Sequence, residues 1–170
     1  MTVADVVKVV IADMDFYLKS GGGVTISGGE PLIQWCFTAE ILKECKGRGI
    51  HTCMESSLHA NREIVRDILP LADMVITDIK HMDPDKHREY TGIGNGLILE
   101  NIAFVAGQGT PLIIRIPVVP DHNDGDDNIR ATAEFIAGTL GNRVTQVQLL
   151  PYRQLGVEKY SSLGREYPMN

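Results

Sequence analysis

Cysteine is scarce in this chain of 170 residues. Cys36, Cys45 and Cys53 are all it has, an odd number and too widely spaced for a disulfide framework or a zinc-knuckle loop. We read them as ordinary thiols: Cys45 on a helix face, Cys53 on a strand and Cys36 at a helix start. Basic excess is lacking too. Lysine and arginine number 16 against 22 aspartates and glutamates, a formal net charge of −6, and no basic patch stands out, which argues against a nucleic-acid binder. No apolar run nears the roughly 18 residues of a membrane span. The opening Met1-Thr-Val-Ala-Asp5 is acidic and amphipathic, unlike a signal peptide. The expected location is therefore the cytoplasm. Repeats and low-complexity tracts are missing as well.

What is present is ordinary globular material, 44% hydrophobic and 22% charged, with length for one domain and a substantial core. Apolar residues at Val6, Val7, Val10, Ile11, Met14 and Leu18 recur at helical spacing and predict one helix over residues 3–19. Ser20 and three glycines end it. Further helices are expected over 38–46, 61–69 (closed by Pro70), 95–106 and 126–140, with a short helical turn at Asp83-Pro84. Strands are expected over 24–27, 50–54, 73–80, 112–119 and 144–150. The third has the apolar centre of a strand covered on both faces, and Pro117 marks where regular pairing in the fourth must stop. The polar tail, with turns at Gly156 and Gly164, is expected to fold over one rim. Five strands alternating with helices imply one parallel sheet in an α/β fold. The helix ahead of the first strand suggests that something upstream is missing.

The stretch Val24-Thr-Ile-Ser-Gly-Gly-Glu-Pro-Leu32 is the centre of this reading. A short apolar strand runs into Gly28 and Gly29, which let a ligand approach the main chain, then Glu30, then Pro31 in a helix's first turn. In parallel α/β sheets such corners lie at the carboxyl edge, where ligands bind. The other strands end similarly: the second in Glu55, Ser56 and Ser57, the third in Thr77, Asp78 and Lys80. The fourth carries Arg115, with Asp121-His-Asn-Asp124 beyond it, and the fifth is followed by Tyr152 and Arg153. Gathered at one mouth, these suit an anionic or zwitterionic ligand. Plainer roles stand beside each: Glu55 and Asp78 as helix caps, Lys80 as a surface lysine, His51, His59, His81 and His87 as surface or hydrogen-bonded residues. Arg115, amid Leu112-Ile-Ile-Arg-Ile116, has to point into the barrel or pair with an acid. The acidic loop 121–127 departs from the calcium-loop pattern and reads as a solvated connector.

A set of segments now carries a resemblance. Ser20-Gly-Gly-Gly-Val-Thr-Ile-Ser-Gly-Gly-Glu-Pro-Leu-Ile-Gln34, Asp78-Ile-Lys-His-Met-Asp83, Thr91-Gly92, Ile98-Leu-Glu-Asn-Ile102, Arg115-Ile-Pro-Val-Val-Pro120 and Leu149-Leu-Pro-Tyr152 together resemble the glycyl-radical-enzyme activating enzymes. These are radical S-adenosylmethionine proteins, of which pyruvate formate-lyase activating enzyme is the best known. The likeness covers nearly the whole chain in the right order, and implies a partial (βα) barrel of about five parallel strands with outer helices. It further implies that Gly28, Gly29 and Glu30 hold the methionine amino group of S-adenosylmethionine, and that Lys80 meets its carboxylate beside Asp78. Asp78 would help hold a monovalent cation, Glu55 and Ser56 match the family's acid–hydroxyl pair, and Arg115 would help place the S-adenosylmethionine or the incoming glycine loop. Where the best-known member has a histidine, this chain has Arg153, a departure that retains a cation.

The resemblance also implies a 4Fe–4S cluster, reduction of S-adenosylmethionine to a 5′-deoxyadenosyl radical, and hydrogen abstraction from a glycine of a partner glycyl-radical enzyme under anaerobic conditions. A flavodoxin or ferredoxin would supply the electron. The family's Cys-x-x-x-Cys-x-x-Cys loop does not occur in this sequence, so we expect residues 1–170 to be a single truncated barrel domain, the carboxyl-terminal part of an activating enzyme and inactive alone. A barrel without its first strand would expose an edge able to pair with another copy. Two other readings stand beside this one: a non-catalytic partner- or nucleotide-binding barrel, and an unrelated barrel enzyme binding a sugar phosphate.

Overall fold

The structure, a computed structural model, describes residues 1–153 and 157–167. Five strands, β1 (Gly23–Ile26), β2 (His51–Glu55), β3 (Met74–Asp78), β4 (Leu112–Val118) and β5 (Gln146–Pro151), lie parallel in that order. The sheet is open, a partial barrel with β1 and β5 at its edges.

Register sorts the side chains. Met54, Val75, Leu112 and Ile114, none of them exposed, lie on the face packed by helices. Thr25, Cys53, Glu55, Ile76, Asp78, Ile113, Arg115, Gln146 and Gln148 alternate onto the other face. The expectation that helices cover β3 on both sides fails: α3 (Trp35–Gly47), α4 (Arg62–Ile68), α6 (Gly96–Gly107) and the segment after α7 (Asp126–Glu134) feed one core, on one side. Ile76 is nonetheless 8% exposed, lying on the same face as Glu55, its partner in register. Over β5 the helical cover thins, and Leu149 is 67% exposed.

Several expected elements change at their ends. The single helix over 3–19 is two, α1 (Val3–Ala12) and α2 (Met14–Ser20), because Asp13 leaves helical geometry and its carbonyl starts the second helix by accepting from Phe16 and Tyr17. The helix after β1 starts earlier than expected, with a 3₁₀ turn at Pro31–Gln34 leading into α3. The turn at Asp83 is a full helix, α5 (Pro84–Thr91): Asp83 accepts from the Asp85 and Lys86 amides, Pro84 sits at the first position, and Gly92 closes it in left-handed geometry. Its sequence is too polar to show a period, so only the caps announce it. Pro70 falls within a 3₁₀ turn, Leu69–Leu71, and the helix from Asp126 widens into a π turn at Phe135–Thr139.

Pro117 does not stop the ladder. It pairs in register with Leu150, and Val118 with Pro151. The Arg115 carbonyl accepts from Ile79 on the β3 side, so the missing N–H two residues on faces the same way, where β3 has ended at Asp78. The Val118 carbonyl, facing β5, accepts from the Tyr152 amide. In the tail, α8 (Val157–Ser162) leads to a turn at Gly164. Tyr167 returns to the end of β5, its hydroxyl 2.7 Å from that of Tyr152. The turn expected at Gly156 lies outside the described residues.

Candidate active site at the carboxyl edge of the sheet

The corner after β1 is built as glycine requires. Gly28 has φ +123°, closed to side chains with a Cβ, and no atom lies within 4 Å of where a Cβ on Gly28 or Gly29 would stand. The main chain there is open to an approaching molecule. Glu30 points toward β2. One carboxylate oxygen accepts from the Leu32 amide at 3.1 Å and the Ser56 hydroxyl at 2.6 Å; the other accepts from the Ser57 amide at 2.8 Å and its hydroxyl at 2.6 Å. These charge-assisted bonds tie the ends of β1 and β2 together.

Across the open face, Arg115 bridges the sheet. Its Nη1 donates to Glu55 Oε1 at 2.8 Å, over β3 to β2, and its Nε donates to Gln148 Oε1 on β5 at 3.1 Å. Gln148 Nε2 in turn donates to Gln146 Oε1 at 3.0 Å. Arg115 thus both lies on the inner face and pairs with an acid. Asp78 is its partner in register, and Lys80 Nζ lies 3.7 Å from Asp78 Oδ2. The helix-capping alternative for the two acids does not hold, since the following helices start at Asn61 and Asp83. Lys80 is half-exposed but ion-paired, not a free surface lysine. Glu30 with Ser56, Glu55 with Arg115, and Asp78 with Lys80 thus form three bonded pairs at the ends of neighbouring strands, a polar group along the carboxyl edge of the sheet. Arg153 lies exposed just past β5 and, among the described residues, has no hydrogen bond or ion pair to this group.

Asparagines, which the sequence reading passed over, hold the loops behind these residues. Asn123, 7% exposed, donates to the carbonyls of Lys80 and Pro117 and accepts from the Val119 amide. Asn95 donates to the His81 and Met82 carbonyls, and Asn128 accepts from the Met82 amide. Asn101, fully buried, donates to the Leu58 and Ala60 carbonyls and accepts from Arg62, holding a loop in which Leu58 has φ +59°. The motif around Asn101 is thus a structural one. Gln148 was likewise missed as part of the site, since only the register of the sheet sets it level with Arg115.

The histidines behave as expected. His51 and His59 are exposed, while His81 and His87 are buried and hydrogen-bonded. Burial, aided by the Lys86 charge, pushes His81 below its ordinary value, so it is neutral. A cleft of about 590 Å³ lined by Lys80, Tyr90, Pro117, Val119, His122 and Asn123 opens beside the polar group. A wider one of about 920 Å³ lies farther out, over loop 121–127, and includes neither Glu55 nor Arg115. The thiols lie apart: Cys36 exposed, Cys45 packed with Val10, Ile41 and Ile50, and Cys53 on β2.

Residues 1–136 match the family model of the Radical SAM superfamily. The (2S)-3-sulfopropanediol dehydratase activating enzyme of Klebsiella oxytoca is 44% identical over 169 residues, covering 99% of this chain and 53% of that protein. The 4-hydroxyphenylacetate decarboxylase activating enzyme of Clostridioides difficile (strain 630) is 41% identical over 168 residues, covering 98% and 52%. The chain thus spans about half the length of these curated relatives. The crystal structure of a domain of pyruvate-formate lyase-activating enzyme from Bacteroides vulgatus superposes with TM-score 0.73 at 34% identity, covering 85% of this chain and 96% of that one. On the family match, this likeness and the open parallel barrel, the chain belongs to the Radical SAM superfamily.

Proposed function

We propose that this chain is the S-adenosylmethionine-holding part of an activating enzyme that generates a glycyl radical on a partner enzyme. One observation carries the reading: the strand ends bring Glu30, Glu55, Ser56, Asp78, Lys80 and Arg115 into one group beside open backbone at Gly28 and Gly29. The donor set fits a zwitterionic sulfonium nucleotide. Main-chain carbonyls of the glycine corner would take the ammonium, with the Glu30 carboxylate close by and already anchored by four donors. Lys80 would meet the carboxylate, with Asp78 and Glu55 near a monovalent cation. Arg115 keeps unbonded N–H groups for an acceptor oxygen, and Arg153 would close the rim. Bound there, S-adenosylmethionine supplies the hydrogen-abstracting chemistry of the superfamily; the chain's residues orient it and the incoming glycine segment.

The residues do not fit a 4Fe–4S cluster. Its ligands are thiolates at close spacing, whereas these thiols lie on separate elements and, among the described residues, no three His, Cys, Asp or Glu side chains group as a metal site. That misfit is the one observation favouring a binding-only role. For the activating role, the partner is a glycyl-radical enzyme, the electron donor a flavodoxin or ferredoxin, and the setting an anaerobic cytoplasm. No helix among the described residues is long and apolar enough to cross a membrane.

Titration calorimetry of the chain with S-adenosylmethionine tests the site. The expected result is saturable binding, weakened at least about tenfold in Lys80→Ala, the scale of a lost charge-assisted bond. Stabilisation by sugar phosphates with no response to S-adenosylmethionine would overturn the reading in favour of the phosphate-binding barrel.

A further inference from the structure

We infer that Gln148 is a positioning residue for Arg115, an inference that rests on the proposed S-adenosylmethionine site and extends it to a residue outside the motifs above. Register sets Arg115 and Gln148 side by side on one face of β4 and β5. A guanidinium carries five N–H groups in a rigid plane. Two of them are committed in opposite directions: Nη1 to Glu55 on β2 at 2.8 Å, Nε to Gln148 on β5 at 3.1 Å. Held from both sides, the guanidinium reaches across β3, and, among the described residues, three of its N–H groups remain for acceptor oxygens of a bound molecule.

The amide of Gln148 can play this part only one way round. Its nitrogen donates to Gln146 Oε1 at 3.0 Å, so its oxygen is the atom that faces the guanidinium; flipped, it would set donor against donor. Gln146 thereby fixes Gln148, which fixes Arg115. Because the amide is neutral, it orients the guanidinium without cancelling its charge, and among the described residues Glu55 is its one carboxylate contact. The Arg115 side chain is 27% exposed, enough for a ligand to reach it.

The test uses the whole chain with Gln148→Met, which keeps length and removes the acceptor, and Gln148→Glu, which restores it. In ¹⁵N-labelled protein, the Arg115 Nε–H resonance, identified by its loss in Arg115→Lys, is expected as a slowly exchanging signal. It should broaden or vanish in Q148M and return in Q148E. S-adenosylmethionine affinity should fall about tenfold in Q148M, with unchanged thermal unfolding in both variants; Q148E, which sets a second carboxylate against the guanidinium, is read by its resonance alone. A protected Arg115 signal in Q148M, binding by Q148M as tight as wild type, or no return of the signal in Q148E would each overturn the inference. If wild type itself fails to bind S-adenosylmethionine, the ligand assignment is lost, and the resonance still decides whether Gln148 holds Arg115.

Discussion

Asp73 shows how one side chain is tuned by its neighbours. It stands just before β3 and accepts from Lys46 Nζ at 2.8 Å and from the Thr52 amide and hydroxyl, each at 2.9 Å. Burial alone would raise its pKa; the Lys46 and Thr52 hydrogen bonds outweigh that and hold it at about 2. A carboxylate depressed in the fold stabilises the fold fully above its unfolded value near 4, and that stability drains away as pH falls toward about 2. In denaturant titrations, Asp73→Asn is therefore expected to be less stable than wild type at pH 7 by about 1–2 kcal/mol, a figure discounted for partial exposure. The gap should close between pH 4 and 2. A gap that persists at pH 2 would mean the loss came from packing instead. At the same scale, the two committed edges of Arg115 explain why an arginine is tolerated mid-strand: its charge is met by Glu55 and its Nε by Gln148.

The loops at the carboxyl edge of the sheet are tied by side-chain amides. The segment after β3 is pinned from three sides, by Asn95 ahead of α6, Asn123 after β4 and Asn128 within α7. Asn123 does most, satisfying the Lys80 and Pro117 carbonyls and the Val119 amide at once. Truncating it leaves three partly buried backbone groups without this partner. Asn123→Ala should thus cost about 2–3 kcal/mol in urea unfolding, with the slope against urea unchanged. Asn123→Asp should do no better, since a carboxylate cannot donate to two carbonyls. A loss under about 0.5 kcal/mol would show that water replaces the amide.

At the scale of the whole molecule, the open sheet separates two jobs. One face is apolar and helix-packed, and supplies the core with Met54, Val75 and Ile114. The other carries the polar layer that the strands aim toward one edge. Neither face gathers the three thiols together. Burial pushes the Cys45 and Cys53 thiols above their usual value, away from the thiolate that iron requires, and Cys36 lies exposed on α3. Anaerobic reconstitution of this chain with iron and sulfide is expected to give no stoichiometric cluster absorption. A full four-iron spectrum would overturn that expectation, together with the view that the thiols are structural.

The alternation of apolar runs by itself determined five strands and the helices between them, because burial on a parallel sheet leaves periods of two and 3.6 in any sequence that achieves it. Composition likewise determined the acidic balance, and the Gly-Gly-Glu corner and its companion segments were legible as a set. Helix breaks and caps were less so: Asp13 divides a continuous apolar period, and α5 has no period at all, so only the chain's local hydrogen bonds reveal them. Register was beyond reach. Whether Gln148 lies level with Arg115, or Glu55 within 2.8 Å of it, depends on how strands 60 and 33 residues apart in sequence slide against each other, and a shift of one residue would turn each side chain to the opposite face. The same holds for Glu30, whose four donors come from the corner itself and from a loop 26 and 27 residues away. Residue types state which bonds are possible; only the packed sheet decides which are made.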